Sequence, residues 1–133
     1  MSTMRECRCC NYKASFEHIL FENDTCVCVA DENNILIGAC YIIPKIHKVS
    51  PFELSRKEWN DTKDLLNHVK KFLDNKYKPD GYNLGWNVGE IGGQFVFHSH
   101  LHVIPRYKDE PLAKKGIRHW FMQDENIRPS LRK

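Results

Sequence analysis

Residues 81–106 read GYNLGWNVGEIGGQFVFHSHLHVIPR. Two β-favouring stretches, residues 82–88 and 95–105, flank a loop marked by Gly89, Gly92, Gly93 and Gln94. His98, His100 and His102 fall at every second position of the latter stretch. A strand alternates its side chains, so these imidazoles are expected on one face, with Phe97, Ser99, Leu101 and Val103 on the other. Three aligned imidazoles are poorly explained as packing. They fit a metal held by three histidines or a nucleophile with its relay partners. The loop favours the second, because glycines let backbone N–H groups approach an anion. A neutral imidazole avoids repulsion by a negatively charged phosphoryl group, and its ordinary pKa of about 6.5 still lets it shuttle protons. Fixed donors would stabilise the transition state, each worth about 2.7–4 kcal/mol where such a donor has been removed.

Working outward, Pro79-Asp80-Gly81 ends a helix in which Trp59, Leu65, Leu66, Val69, Phe72, Leu73 and Tyr77 recur near the 3.6-residue period. Ser55 with Glu58 supplies its start signal, and Ser50-Pro51-Phe52-Glu53 gives a similar signal for a shorter helix. Lysines gather at the end of the long helix, where cations suit the dipole. Residues 16–21, 25–30 and 39–44 read as strands separated by the polar turns 22–24 and 31–34. The expected class is α+β: an antiparallel sheet with one long and one short helix on a face.

The chain of 133 residues is expected to form one domain, spanning 1–133. Twenty basic against seventeen acidic side chains give +3, too little to suggest a nucleic-acid partner. The excess sits in the segment 107–133, read as a basic C-terminal tail to which no function is assigned. The longest apolar run, near residues 39–44, is far short of the roughly 20 residues that span a membrane. The first ten residues lack the apolar core of a secretory signal. Six cysteines, three of them on apolar strands, fit a reduced, cytoplasmic chain with buried thiols better than a disulfide framework. His18, His68 and His119 read as ordinary surface or core histidines. Cys7-x-x-Cys10 alone is compatible with a zinc half-site, a redox pair or coincidence; His47 and His98 are candidate further ligands, since zinc takes about four N/S ligands.

The stretch 81–106 resembles the signature of the histidine triad (HIT) family: an Asn/Gln-x-Gly loop, Gly-Gln, then His-x-His-x-His followed by apolar residues. Upstream, Pro44-Lys45-Ile46-His47 resembles the family's Pro-Lys-x-His strand end, and Val29-Ala30-Asp31 its ribose-contacting strand end. The resemblance implies a nucleotidyl hydrolase or transferase acting at the α-phosphate of purine (adenosine) nucleotide derivatives. His100 would attack phosphorus to form a covalent nucleotidyl-histidine, His102 would assist the leaving group, and His98 would help orient His100. Asn87 and the backbone of Gly93 and Gln94 would hold phosphate oxygens and Asp31 the ribose hydroxyls. The resemblance also implies a homodimer with its sheet extended across both copies. Zinc-containing members carry a similar Cys-x-x-Cys, which implies a structural zinc on Cys7, Cys10, His47 and His98, with residues 1–15 as a zinc-binding segment. Two departures stand out: Ala39 and Phe95 occupy positions where many relatives have histidine and Ser or Thr. They keep open the alternative of a non-catalytic module that binds purine nucleotides in the same pocket.

Overall fold

In the computed structural model, which describes residues 7–131, five strands and one long helix organise the chain. The first six residues of the expected zinc-binding segment and the last two of the tail lie outside the described residues. In chain order the elements are α1 (Tyr12–Ser15), β1 (Ile19–Glu22), β2 (Cys26–Ala30), β3 (Cys40–Pro44), a 3-10 turn (Pro51–Glu53), α2 (Arg56–Tyr77), β4 (Gly81–Gly85), β5 (Leu101–Arg106) and α3 (Ile117–Phe121). Further 3-10 turns, Asp124–Asn126 and Pro129–Leu131, complete the exposed tail.

The sheet is antiparallel throughout, in the order β1-β2-β3-β5-β4. This is the expected α+β class. Both helix-start readings hold. Ser55 Oγ accepts the Glu58 N–H at 3.1 Å while Glu58 Oε1 accepts the Ser55 N–H at 2.8 Å. Ser50 and Glu53 repeat that box around the 3-10 turn. Such reciprocal caps satisfy donors that a helix end leaves without partners.

Helix α2 buries Glu58, Thr62, Leu65, Val69 and Leu73, a stripe at spacings of three and four residues. Trp59 lies off this stripe, 43% exposed, with its ring 5.5 Å from that of Trp86. The apolar stripe packs on Cys26, Cys28, Cys40, Ile42, Leu101 and Val103, which alternate along β2, β3 and β5 toward the helix. The intervening residues Val27, Val29 and Ile43 face away from it and are also fully buried. Their cover is Cys7, Cys9 and Tyr12 of the N-terminal segment. The sheet is thus covered on both faces, where the sequence reading expected helices on one. This accounts for the continuously apolar β2: a strand buried on both sides loses its polar alternation.

The strand bounds contract at functional positions. β4 ends at Gly85 rather than residue 88, and β5 begins only at Leu101, so residues 95–100 are irregular. The row of three imidazoles along one strand does not form. Only His102 stands on β5, paired with Tyr41 of β3 and Gly85 of β4.

Candidate active site and metal centre

Two groups of side chains emerge from the histidine motif. His100 and His102 stay together, with ring centroids 4.9 Å apart. Tyr41 sets its ring edge-on to both, at 5.5 and 5.1 Å. His98 turns away into the interior, wholly buried, its ring 5.1 Å from that of His47. The reason is local. The Ser99 N–H donates to the Lys48 carbonyl at 2.6 Å, pinning the irregular segment to the loop after β3. The His98 ring then meets the Pro44 carbonyl on one side and two thiols on the other.

The hydrogen bonds fix both tautomers, because a carbonyl only accepts. His100 Nδ1–H donates to the His98 carbonyl at 2.9 Å, so that in the neutral ring the lone pair lies on Nε2. His98 Nε2–H donates to the Pro44 carbonyl at 2.7 Å, so Nδ1 presents its lone pair to the cysteines. Burial pushes the His98 pKa down to about 4 despite that bond, keeping the ring neutral. His102 is also shifted down, by burial first and then by His100. Asn87 Nδ2 lies 3.5 Å from His102 Nε2.

The glycine loop folds on itself. Gly93 N–H donates to the Glu90 carbonyl and Gln94 N–H to the Gly89 carbonyl, both at 3.0 Å. Gly93 has φ +93°, and a Cβ on Gly92 would stand 2.3 Å from the Val88 carbonyl oxygen, so only glycine fits there. The Gln94 side chain is buried and saturated: its carbonyl accepts the Gly89 N–H at 2.9 Å, and its amide donates to the Val49 and Val96 carbonyls. It braces the loop from beneath. Phe95, beside it, is 87% exposed.

Asp31 follows β2, its N–H bonded to the Ala39 carbonyl at 2.9 Å. Its carboxylate influences the Tyr41 phenol, which is pushed up to about 12 by burial first and then by Asp31. Tyr41 was not singled out in the sequence, because its place beside the histidines depends on the β3–β5 register.

Cys7, Cys10, His47 and His98 come together with their ligand atoms all within 4.8 Å of one another. Cys7 and Cys10 Sγ each lie 3.4 Å from His98 Nδ1, and Cys10 Sγ lies 3.2 Å from His47 Nδ1. Tetrahedral zinc with bonds near 2.3 Å to sulfur and 2.0 Å to nitrogen separates neighbouring donors by about 3.5 Å. The donor set and spacing therefore fit zinc. The Pro44 carbonyl is the outer partner that fixes a metal-binding imidazole. Without a cation, burial and Cys7 push the Cys10 thiol up to about 11.

An antiparallel sheet carrying paired imidazoles beside a glycine loop defines a histidine-based site on an α+β scaffold. Residues 13–109 match the HIT domain, and the chain belongs to that family. It is 33% identical over 104 residues to adenylylsulfatase HINT3 of Arabidopsis thaliana, covering 74% of this chain and 51% of that one. It is 37% identical over 73 residues to adenosine 5'-monophosphoramidase hnt1 of Schizosaccharomyces pombe, covering 55% and 52%. The chain thus spans about half the length of these two relatives. In fold it is similar to a Zn-bound histidine triad family protein from Mycobacterium smegmatis, with TM-score 0.72, 22% identity and coverage of 86% and 84%. Among the described residues no helix is long and apolar enough to cross a membrane.

Proposed function

We propose that this chain is a nucleotidyl hydrolase or transferase that cleaves purine nucleotide derivatives at the α-phosphate. The observation that carries this reading is the hydrogen bond from His100 Nδ1 to the His98 carbonyl, which in the neutral ring turns the lone pair to Nε2, beside His102. His100 Nε2 attacks phosphorus as the bond to the leaving group breaks, and protonated His102 gives its proton to the departing atom. Water then attacks the nucleotidyl-histidine, His100 leaves, and His102 takes the water's proton. The downward shift of His102 favours its neutral form in the free protein, the form that takes the water's proton.

Asn87 would grip phosphate oxygens, and the Gly93 and Gln94 N–H groups would join it by exchanging their loop bonds for phosphate. Asp31, following β2, would accept the ribose hydroxyls. Adenosine phosphoramidates and adenylyl sulfate are the first substrates to try, since two relatives are named for such activities. Zinc on Cys7, Cys10, His47 and His98 would serve as a structural Lewis acid, tying the N-terminal segment to the segment before β5. Strand β4 forms an open sheet edge with Leu84 44% exposed, which suits pairing with a second copy as a homodimer.

The test is incubation with adenosine 5'-phosphoramidate and mass spectrometry of the quenched protein. A nucleotidyl adduct on His100 is expected, and His100→Asn should lower turnover by at least 1,000-fold. Nucleotide binding without turnover would instead mark a non-catalytic binding module.

A further inference from the structure

A small cleft of about 90 Å³ opens beside the imidazole pair, lined by Arg8, Cys9, Phe16, Tyr41, Val96 and His100. It shares His100 with the proposed reacting centre, and Tyr41 links it to Asp31. A nucleotide whose phosphorus sits at His100 can extend past Tyr41 and set its base in this cleft. Phe16 and Val96 supply apolar walls for a flat ring.

The polar chemistry of the cleft has one sign. The Tyr41 hydroxyl belongs to the Asp31 side of the cleft, and Cys9 is buried. Arg8 remains. Its guanidinium sits 4.7 Å over the Phe16 ring and donates one bond, from Nη2, to the Ser15 carbonyl at 3.1 Å. The group is thereby positioned in advance, with further N–H donors not engaged by those contacts. A guanidinium has donors only. Guanine offers two adjacent acceptors, N7 and O6, whereas adenine sets an amino donor beside N7.

We propose that Arg8 makes this cleft select guanine over adenine, so that the substrates are guanosine nucleotide derivatives. The proposal rests on the nucleotidyl reading above and sharpens its purine. A bidentate pair of this kind discriminates by roughly five- to 150-fold, and an exposed guanidinium belongs near tenfold.

Guanosine and adenosine 5'-phosphoramidates differ only in the base, so the ratio of their kcat/KM isolates it. The full chain should favour guanosine about tenfold. Arg8→Leu should bring the ratio near one, and Arg8→Lys, which keeps charge but loses the fork, should fall between. Phe16→Leu, which removes the ring under the guanidinium, should lower the ratio with Arg8 in place. Arg8 adjoins the zinc ligand Cys7, so zinc content is measured for each variant; a ratio, unlike a rate, is insensitive to the fraction folded. A parental ratio at or below one overturns the proposal. So does an Arg8→Leu variant that slows both substrates equally, which would place Arg8 on the leaving group. Equilibrium binding of GMP and AMP separates the two readings. Tighter GMP binding that depends on Arg8, without hydrolysis, would sink the enzyme and leave the base preference standing.

Discussion

Replacing Cys10 by serine tests the metal centre with little other disturbance, because Cys10 is only half-buried whereas Cys7 is buried. A serine hydroxyl stays protonated and is a poor zinc ligand, so one of four donors is lost. Four-ligand structural zinc sites bind with about 10–16 kcal/mol, or about 3 kcal/mol per ligand, so affinity should fall by roughly a hundredfold. With zinc in excess, that factor removes about 2.7 kcal/mol of folding stability. Unfolding entropy near 2.1 cal/mol/K per residue gives about 280 cal/mol/K for 133 residues, hence a Tm lower by about 10 °C. Circular dichroism melts with zinc and with a chelator provide the assay, alongside metal content. Chelation should lower the parent by at least as much as the substitution does and should move the variant less, by that same difference. A parent indifferent to chelator, or a Cys10→Ser chain that binds zinc as tightly as the parent in a chelator competition, would refute the assignment. Zinc held with undiminished affinity by a chain lacking both Cys7 and Cys10 would move the metal to the imidazole pair and end the nucleophile reading as well.

Leu73→Ala removes a fully buried side chain from the α2 stripe and should cost about 2–5 kcal/mol in urea unfolding, while Trp59→Ala, off the stripe, should cost less. Arg106 ties the tail to β4: it donates to Glu110 at 3.0 Å, to the Leu112 and Lys115 carbonyls at 2.8 Å, and to Asn83. The Tyr107 N–H, and after it Arg106, holds the Glu110 carboxyl below its ordinary range. A depressed carboxylate stabilises above its unfolded pKa and loses that contribution as pH falls through the folded value. Glu110→Gln should therefore melt below the parent at pH 7, and the gap should close toward pH 3; a gap that is constant with pH would show that charge plays no part.

The sequence exposed the sheet, the long helix and the separate pieces of the cysteine–histidine set because each follows a short-range rule, while the joining of those pieces came from the family resemblance. Ser55 and Glu58 are three apart, the α2 stripe follows the helical period, and Pro44 to His47 and Cys7 to Cys10 are local groupings. What was hidden depends on distant pairings. The strand rule placed His98 beside His100 and His102, yet the chain before Leu101 takes no strand partner, and the Lys48 carbonyl and the Pro44 carbonyl settle where His98 goes. Tyr41 reaches the imidazoles only through the Tyr41–His102 register. Gln94 entered the sequence reading through its backbone; that its side chain braces the loop with three hydrogen bonds, one of them to Val49, 45 residues away, was not legible there. The apolar cover from Cys7, Cys9 and Tyr12 was equally invisible, since so short a segment has no periodicity to read.

His98 divides its work between two sites: the ring belongs to the cysteine cluster, while the backbone carbonyl holds His100. Substitution can separate these roles, because a side-chain change leaves the carbonyl in place. His98→Cys would offer zinc a third thiolate, a ligand set that zinc accepts readily. The Pro44 carbonyl would lose its donor, and leaving a buried acceptor unpaired costs about 1–3 kcal/mol. The expected outcome is a chain that retains zinc, unfolds at lower urea and hydrolyses phosphoramidate within about tenfold of the parent; each 1.4 kcal/mol lost at the nucleophile would account for one such factor. His98→Ala, with no ligand to offer, should lose zinc and activity together as the segment before β5 loosens. Were His98→Cys to keep its zinc and still be as inactive as His100→Asn, the imidazole of His98 itself would act on the nucleophile, and the division between ring and carbonyl would be wrong.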